Sequence, residues 1–213
     1  MKIKLLLLLC LIQFLSCKTN VDVETQVYQN DFENADLSSI KNGIITQFND
    51  SKILGNYNNQ NFILSLKNLP AHDLVSVTFD LYIHDQWDGN QSAPDGPDIW
   101  QMQVDGNTYI NTTFSNTVCG ANTFCPPQSY PDNYPNNNHN PKSAAYQTNL
   151  PGFCSMKGVT GWTTLYKISK TLTHTSSSLS VECLDKLVQT NTTNPQCDKS
   201  WSVDNIVVKT IKL

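Results

Sequence analysis

Leu74-Val75-Ser76-Val77-Thr78-Phe79-Asp80-Leu81-Tyr82-Ile83-His84 is the stretch from which the fold is read. Val75, Val77, Phe79, Leu81 and Ile83 alternate with Ser76, Thr78, Asp80, Tyr82 and His84. Successive side chains of a strand point to opposite faces, so this period of two predicts a strand with one face in a core and the other toward water. The pattern returns where Trp100, Met102 and Val104 alternate with Ile99, Gln101 and Gln103, and Asp105-Gly106-Asn107 supplies a turn into a strand over 109–114. Further strand candidates are 26–33, 43–48, 61–67, 162–172, 178–184 and 201–209. Turn residues separate these segments, and no amphipathic crossover helix lies between them, which excludes a parallel α/β fold. The expectation is an all-β, antiparallel β-sandwich of jelly-roll type, a single domain over 27–213.

The chain has 213 residues, of which 15% are charged, against roughly 25% in an ordinary soluble domain. Uncharged polar residues fill the difference, led by 24 Asn. All 14 basic residues are Lys, and no Arg occurs. Without Lys2 and Lys4 of the N-terminal segment, 12 Lys face 18 acids, a formal charge of −6. An acidic chain with no bidentate guanidinium lacks the basic surface that nucleic-acid binding uses, so nucleic acid is excluded as the main partner.

Met1-Lys2-Ile3-Lys4 is a short basic start, followed by an apolar run from Leu5 to Ile12. That layout predicts an export signal over 1–16, too short to span a bilayer. Phe14-Leu15-Ser16-Cys17 resembles the lipobox of bacterial lipoproteins of the Bacteroidota type, with Phe14 standing where that family prefers Leu. The resemblance implies that Cys17 becomes a lipidated N-terminus at the outer membrane or cell surface. The only membrane contact is then the anchor, with 17–26 its flexible tether; without lipidation the protein is secreted. Five Cys follow: Cys119, Cys125, Cys154, Cys183 and Cys197. In an oxidising compartment they predict two bridges and one spare thiol. Cys119–Cys125 and Cys183–Cys197 are the first expectation, and Cys125–Cys154 is a rival that spacing leaves open.

One loop concentrates carboxylates: His84-Asp85-Gln86-Trp87-Asp88-Gly89-Asn90, continuing to Pro94-Asp95-Gly96-Pro97-Asp98. Asp85, Asp88, Asp95 and Asp98 repel one another unless solvated, hydrogen-bonded or neutralised. A hard cation such as Ca²⁺, which takes oxygens from carboxylates and amides, is expected here with Asn90 among its ligands. A second candidate set joins the chain ends: Asp31 and Glu33 on the first strand and Asp204 on the last, brought together if those strands lie side by side. From Ser115 to Gly161 the alternation stops, and an Asn- and Pro-rich, Cys-containing insertion is predicted, long enough to serve recognition.

Several short motifs look like those of concanavalin-like or galactose-binding-like β-sandwiches of exported surface proteins, and more loosely of MAM adhesion domains. They are Phe32-Glu33, then Val77-Thr78-Phe79-Asp80-Leu81-Tyr82-Ile83, then Trp87-Asp88-Gly89-Asn90 with Gly96-Pro97-Asp98, and a closing Trp201-x-x-Asp204-Asn205-Ile206-x-Val208. The resemblance implies a jelly roll, often with structural Ca²⁺, that binds glycans or mediates adhesion to a surface protein. Glycan binding needs an aromatic platform with fixed hydrogen-bonding groups. Tyr82, His84, Trp87, Tyr130 and Tyr134, with Asp80, Asn90 and Gln101, are the candidates. Trp87 is singled out for exposure, whereas Trp100, Trp162 and Trp201 fall on core positions. No Gly-x-Ser-x-Gly, His-Glu-x-x-His or P-loop motif is present, and the reading is a binding protein rather than an enzyme. A glycosidase would use Asp85 and Asp98 as its two carboxyls roughly 5–10 Å apart. The alternative to glycan binding is a purely structural or adhesive module.

Overall fold

A computed structural model describes residues 23–120, 125–190 and 192–213. Twelve strands follow one another: β1 (Val23–Asn30), β2 (Ile40–Lys41), β3 (Ile45–Phe48), β4 (Ser51–Tyr57), β5 (Asn61–Lys67), β6 (Leu74–Asp85), β7 (Ile99–Val104), β8 (Asn107–Thr113), β9 (Gln147–Pro151), β10 (Thr160–Thr173), β11 (Ser178–Lys186) and β12 (Lys199–Lys212). A single turn of helix, α1 (Pro195–Asp198), precedes β12. One sheet has the order β3-β4-β12-β6-β10-β9, with β1 also beside β12, and the other runs β2-β5-β11-β7-β8. Every strand pair is antiparallel, which makes the all-β sandwich expected from the alternation.

The core is the alternating set read from the sequence. Val75, Val77, Phe79, Leu81 and Ile83 of β6 meet Trp100, Met102 and Val104 of β7, with Trp201 and Val203 from β12. Burying each large apolar side chain contributes about 1.5–3 kcal/mol, so two sheets that each hide one face are the stable arrangement. A second, smaller apolar cluster lies on the outer face of the seven-stranded sheet: Phe48, Ile53, Leu150 and Leu165, with Tyr82 and Phe153 packed against them.

The structure departs from the expected boundaries at several points, among them β2, which no candidate covers, and residues 31–33, which lie beyond the end of β1. β1 begins at Val23 and pairs with β12 from Val23↔Lys212 onward, so 23–26 are sheet rather than tether. A Glu24–Lys209 ion pair at 2.9 Å fastens that end. β4 was missed because Gly55 and Asn56 interrupt its alternation. Asn49 and Asp50 both sit at positive φ (50° and 68°), the conformation of a two-residue hairpin turn, and they reverse the chain from β3 into β4. Gly55 is required at its place: its φ is +138°, and a Cβ there would lie 2.6 Å from that of Ser202. Finally, the 115–161 insertion contains β9, which pairs with β10 along Thr160–Leu165 only. Beyond Leu165, β10 has no strand partner on that side among the described residues, and the segment around Tyr130 lies beside it.

The two bridges are Cys119–Cys125, as expected, and Cys154–Cys197. Cys183 is a buried free thiol, which corrects the Cys183–Cys197 expectation. It lies on β11 between the inward-facing Val181 and Asp185, with Leu179 on the same face, so its sulfur points into the core. Among the described residues no helix is long and apolar enough to cross a membrane.

Candidate functional site

The acidic loop folds around a lysine. Lys199, at the start of β12, is completely buried, and its Nζ donates to Asp88 Oδ2 (2.8 Å), Asp98 Oδ2 (2.9 Å) and the Val188 carbonyl (3.0 Å). All three ammonium protons are thus used. Asp98 also accepts from the backbone N–H of Asp88 and Val188, so both of its oxygens are satisfied. Burial pushes the Asp98 carboxyl up to about 6 even with Lys199 beside it. Burial works to lower the Lys199 ammonium, but Asp98 and Asp88 outweigh it and hold it above its usual value.

Asp85 is fully buried and accepts from the N–H groups of Phe153 and Cys154, tying the loop to the region of the Cys154–Cys197 bridge. Burial raises its pKa against those same hydrogen bonds. Asn90 joins no carboxylate cluster; its Oδ1 accepts from Thr113 and Ser129, and its Nδ2 donates to Asn138 Oδ1. Asp95 stays on the rim of a polar depression of about 500 Å³ shared with Asp88 and Asp198. These residues do not fit a cation as grouped in the sequence, because the ammonium of Lys199 sits where the metal was expected. The same partners remove the glycosidase pair, since Asp85 and Asp98 are both fully buried and neither faces a cleft.

At the chain ends, β1 does pair with β12, and the acids do gather. Asp204 lies directly opposite Asp80 across β12 and β6. Burial, then Asp80, Glu33 and Asp31, push the Asp204 carboxyl up to about 7. Asp80 is 5% exposed and is engaged by Lys167 (2.7 Å) and by the Asn205 amide (3.1 Å). Glu33 is bonded to the Ser51 hydroxyl and the Lys52 N–H. Among the described residues no three His, Cys, Asp or Glu side chains are grouped so that they could hold a metal ion.

Trp87, expected at the surface, is completely buried, packs on Phe114, and donates its Nε1–H to the Ser200 carbonyl at 2.8 Å. His84 is also fully buried, because the second apolar cluster covers the outer face of β6. Phe48 and Phe153 lie 4.8 and 4.9 Å from its ring, and its nitrogens contact Thr163 Oγ1 and Ser202 Oγ. Burial pushes its pKa down to about 3, leaving a neutral packing residue. Tyr82 is half-buried beside it. Gln101 donates to Asn111 on the outer face of the five-stranded sheet, and Asn111 donates to the Tyr134 carbonyl. Trp100 and Trp201 are buried as expected, while Trp162 is only half-buried. Cys17 lies outside the described residues.

Tyr130 keeps a role at a surface. With Tyr109, Pro131, Asp132, Asn133 and Lys170, it lines a cavity of about 260 Å³ on the edge of β10 beyond Leu165, opposite β8. One side of its ring packs on Phe114 (4.9 Å) and Tyr166 (5.2 Å), and burial raises its pKa. The rim is held in place. Asp132 accepts from His139 (2.8 Å) and Asn137 (2.7 Å), which hold its carboxyl below the usual range, and Asn133 Oδ1 accepts the Asn111 N–H. Beneath it the buried Gln128 organises the insertion. Its Oε1 accepts from Ser115 N, Lys142 N and the Tyr166 hydroxyl, while its Nε2 donates to the Tyr130 and Ser143 carbonyls. Tyr109, Asp132, Asn133, Gln128 and Lys199 were all missed in the sequence. Their partners lie mostly in loops, Asn137 and His139 for Asp132 and Asp88 and Asp98 for Lys199, and the period-two signal says nothing of them.

No family model matches the chain, and no curated protein matches it. Among solved structures it is similar to a family 35 carbohydrate-binding module from Clostridium thermocellum (12% identity, 88% of this chain and 96% of that one, TM-score 0.37). It is also similar to the carbohydrate-binding module of Cellvibrio mixtus lichenase 5A in complex with cellotriose (10% identity, 86% and 97%, TM-score 0.34). A third is the K3 cleaved adhesin domain of Lys-gingipain from Porphyromonas gingivalis (13% identity, 87% and 100%, TM-score 0.37). At this level these are likenesses of architecture and say nothing of a ligand.

Proposed function

We propose that this is an exported, lipid-anchored module that binds a glycan in the Tyr109/Tyr130 pocket. The observation that carries the reading is the pairing, in one small edge cavity, of two tyrosines with a fixed carboxylate, an amide and an ammonium. Pockets that hold small ligands combine an apolar wall with a few placed polar groups, and a pyranose presents both an apolar C–H face and a fan of hydroxyls. A volume of about 260 Å³ lies just under the roughly 300–1,000 Å³ of pockets for drug-sized ligands, so it suits one ring or a chain end.

β1 begins opposite Lys212, at the end of β12 furthest from Lys199, so a tether from Cys17 joins the end of the sandwich away from the acidic loop. Calcium enters the proposal only at the Asp31, Glu33, Asp80 and Asp204 patch, where a divalent ion would relieve like-charge repulsion after side-chain adjustment. Calcium should then raise the melting temperature and a chelator should lower it.

The test is a glycan array followed by calorimetry with wild type and Tyr130→Ala. A bound sugar whose affinity falls about tenfold or more in the variant supports the pocket. An array with no sugar bound, or equal affinity in both proteins, overturns it and leaves the adhesive alternative. Loss of palmitate labelling in Cys17→Ser tests the anchor separately.

A further inference from the structure

A groove of about 630 Å³ lies on the opposite edge of the sandwich, between β1 and the β2–β5 pair. Its charge is unusual for this chain. Acids outnumber lysines, yet none of the described residues lining the groove carries a carboxylate, and two of them are Lys41 and Lys67. Both lysines are exposed. The lysine–carboxylate pairs among the described residues use Lys167, Lys199, Lys209 and Lys212, not these two. Asp36, the acid that acts on neighbouring Tyr28, is engaged with the Ser38 N–H.

We infer that this groove is a second binding site, for a saccharide carrying carboxylate or sulfate groups. Ile40 and the half-buried ring of Tyr28 supply an apolar surface for a sugar face, and the Ser39 and Ser65 side chains supply hydroxyls. The Ser65 N–H donates to the Ser39 carbonyl at 2.9 Å, which holds the β2–β5 wall together. Lys41 and Lys67 then provide flexible point charges for anions whose spacing varies along a polymer. A lipid headgroup fits less well. Tyr28 pairs with Val208, whereas the sheet ends at the Val23↔Lys212 pair, five residues away along β1. At about 3.3 Å per residue the groove is set back roughly 15 Å from the end at which a lipid tether would join. The site is separate from the Tyr130 pocket and rests on the glycan-binding reading only for the class of its ligand.

The experiment measures polygalacturonate, dextran sulfate and a neutral glucan against the full chain, Lys41→Gln/Lys67→Gln and Tyr130→Ala. Anionic vesicles serve as a fourth probe. Wild type should bind at least one acidic polymer more tightly than the glucan, with affinity falling as salt rises. The double variant should bind it about tenfold more weakly at an unchanged melting temperature, while Tyr130→Ala leaves it untouched. Equal binding by wild type and double variant overturns the inference, as does no preference for acidic polymer. Lysine-dependent binding of vesicles but not polysaccharide also overturns it and assigns the groove to lipid. Loss of neutral-sugar binding in Tyr130→Ala is read independently, so either site can fail alone.

Discussion

The acidic loop, 84–98, and the Asn- and Pro-rich insertion, 115–161, exchange the roles their compositions imply. The first is crowded with carboxylates, yet Asp85 and Asp98 are fully buried and satisfied by Lys199 and backbone N–H groups. The second has no regular alternation, yet Gln128 and Asn90 pin it into a rim that carries Tyr130, Asp132 and Asn133. Charge density thus marks a structural plug, and the segment without alternation carries the tyrosine-lined cavity. The difference lies in partners. A buried carboxylate needs a cation or several donors, while uncharged amides can order a long loop by bonding its own backbone.

Lys199→Met leaves Asp98 buried without its ammonium. A loss of about 3–5 kcal/mol in urea denaturation is expected, because removing one partner of a buried pair is costly. Asp98→Asn in the same chain should recover part of it. Were the loop a cation site instead, calcium would restore the single variant. The expectation is that stability with calcium and with chelator is the same for that variant.

Gln128→Leu probes the other half. It removes five hydrogen bonds and leaves the N–H groups of Ser115 and Lys142 with no side-chain acceptor. A cost of about 2–4 kcal/mol is expected, with faster proteolysis within 115–145 than in wild type. A passive surface insertion would give less than about 0.5 kcal/mol.

The sheets were legible because alternation reports which face is buried, and burial is set residue by residue along one strand. β6 and β7 are the clearest cases. Cys183 shows the same signal overlooked: its period with Leu179 and Val181 places it in the core, which spacing between cysteines does not reveal. Trp87 and His84 show the limit. Trp87 sits between polar neighbours and His84 on the polar face of its strand, but what covers them comes from afar, Ser200 for one and Phe48 with Phe153 for the other. Lys199 reads as the polar start of a strand, and its acceptors Asp88 and Asp98 lie more than 100 residues away. No local pattern encodes that convergence.

The patch at Asp204 gives a smaller effect, because its lysine, Lys167, pairs with Asp80 rather than with Asp204. Its folded value, about 7, lies above the ordinary 3.8, so the folded protein holds the proton more tightly than the unfolded chain does. Between about pH 4 and pH 7 the unfolded state has already released that proton, so stability falls as pH rises and levels off above the folded value. Asp204→Asn keeps a carbonyl for the Asn205 N–H, now bonded at 2.7 Å, but cannot ionise. At about pH 4 the two proteins should be equally stable. At about pH 8 the variant should lead by on the order of 1–2 kcal/mol, read from urea midpoints. Some fall should persist in the variant below about pH 6, since burial also raises Asp98. If both proteins lose the same stability over this range, the repulsion assigned to Asp80, Glu33 and Asp31 is relieved by side-chain movement rather than by the proton.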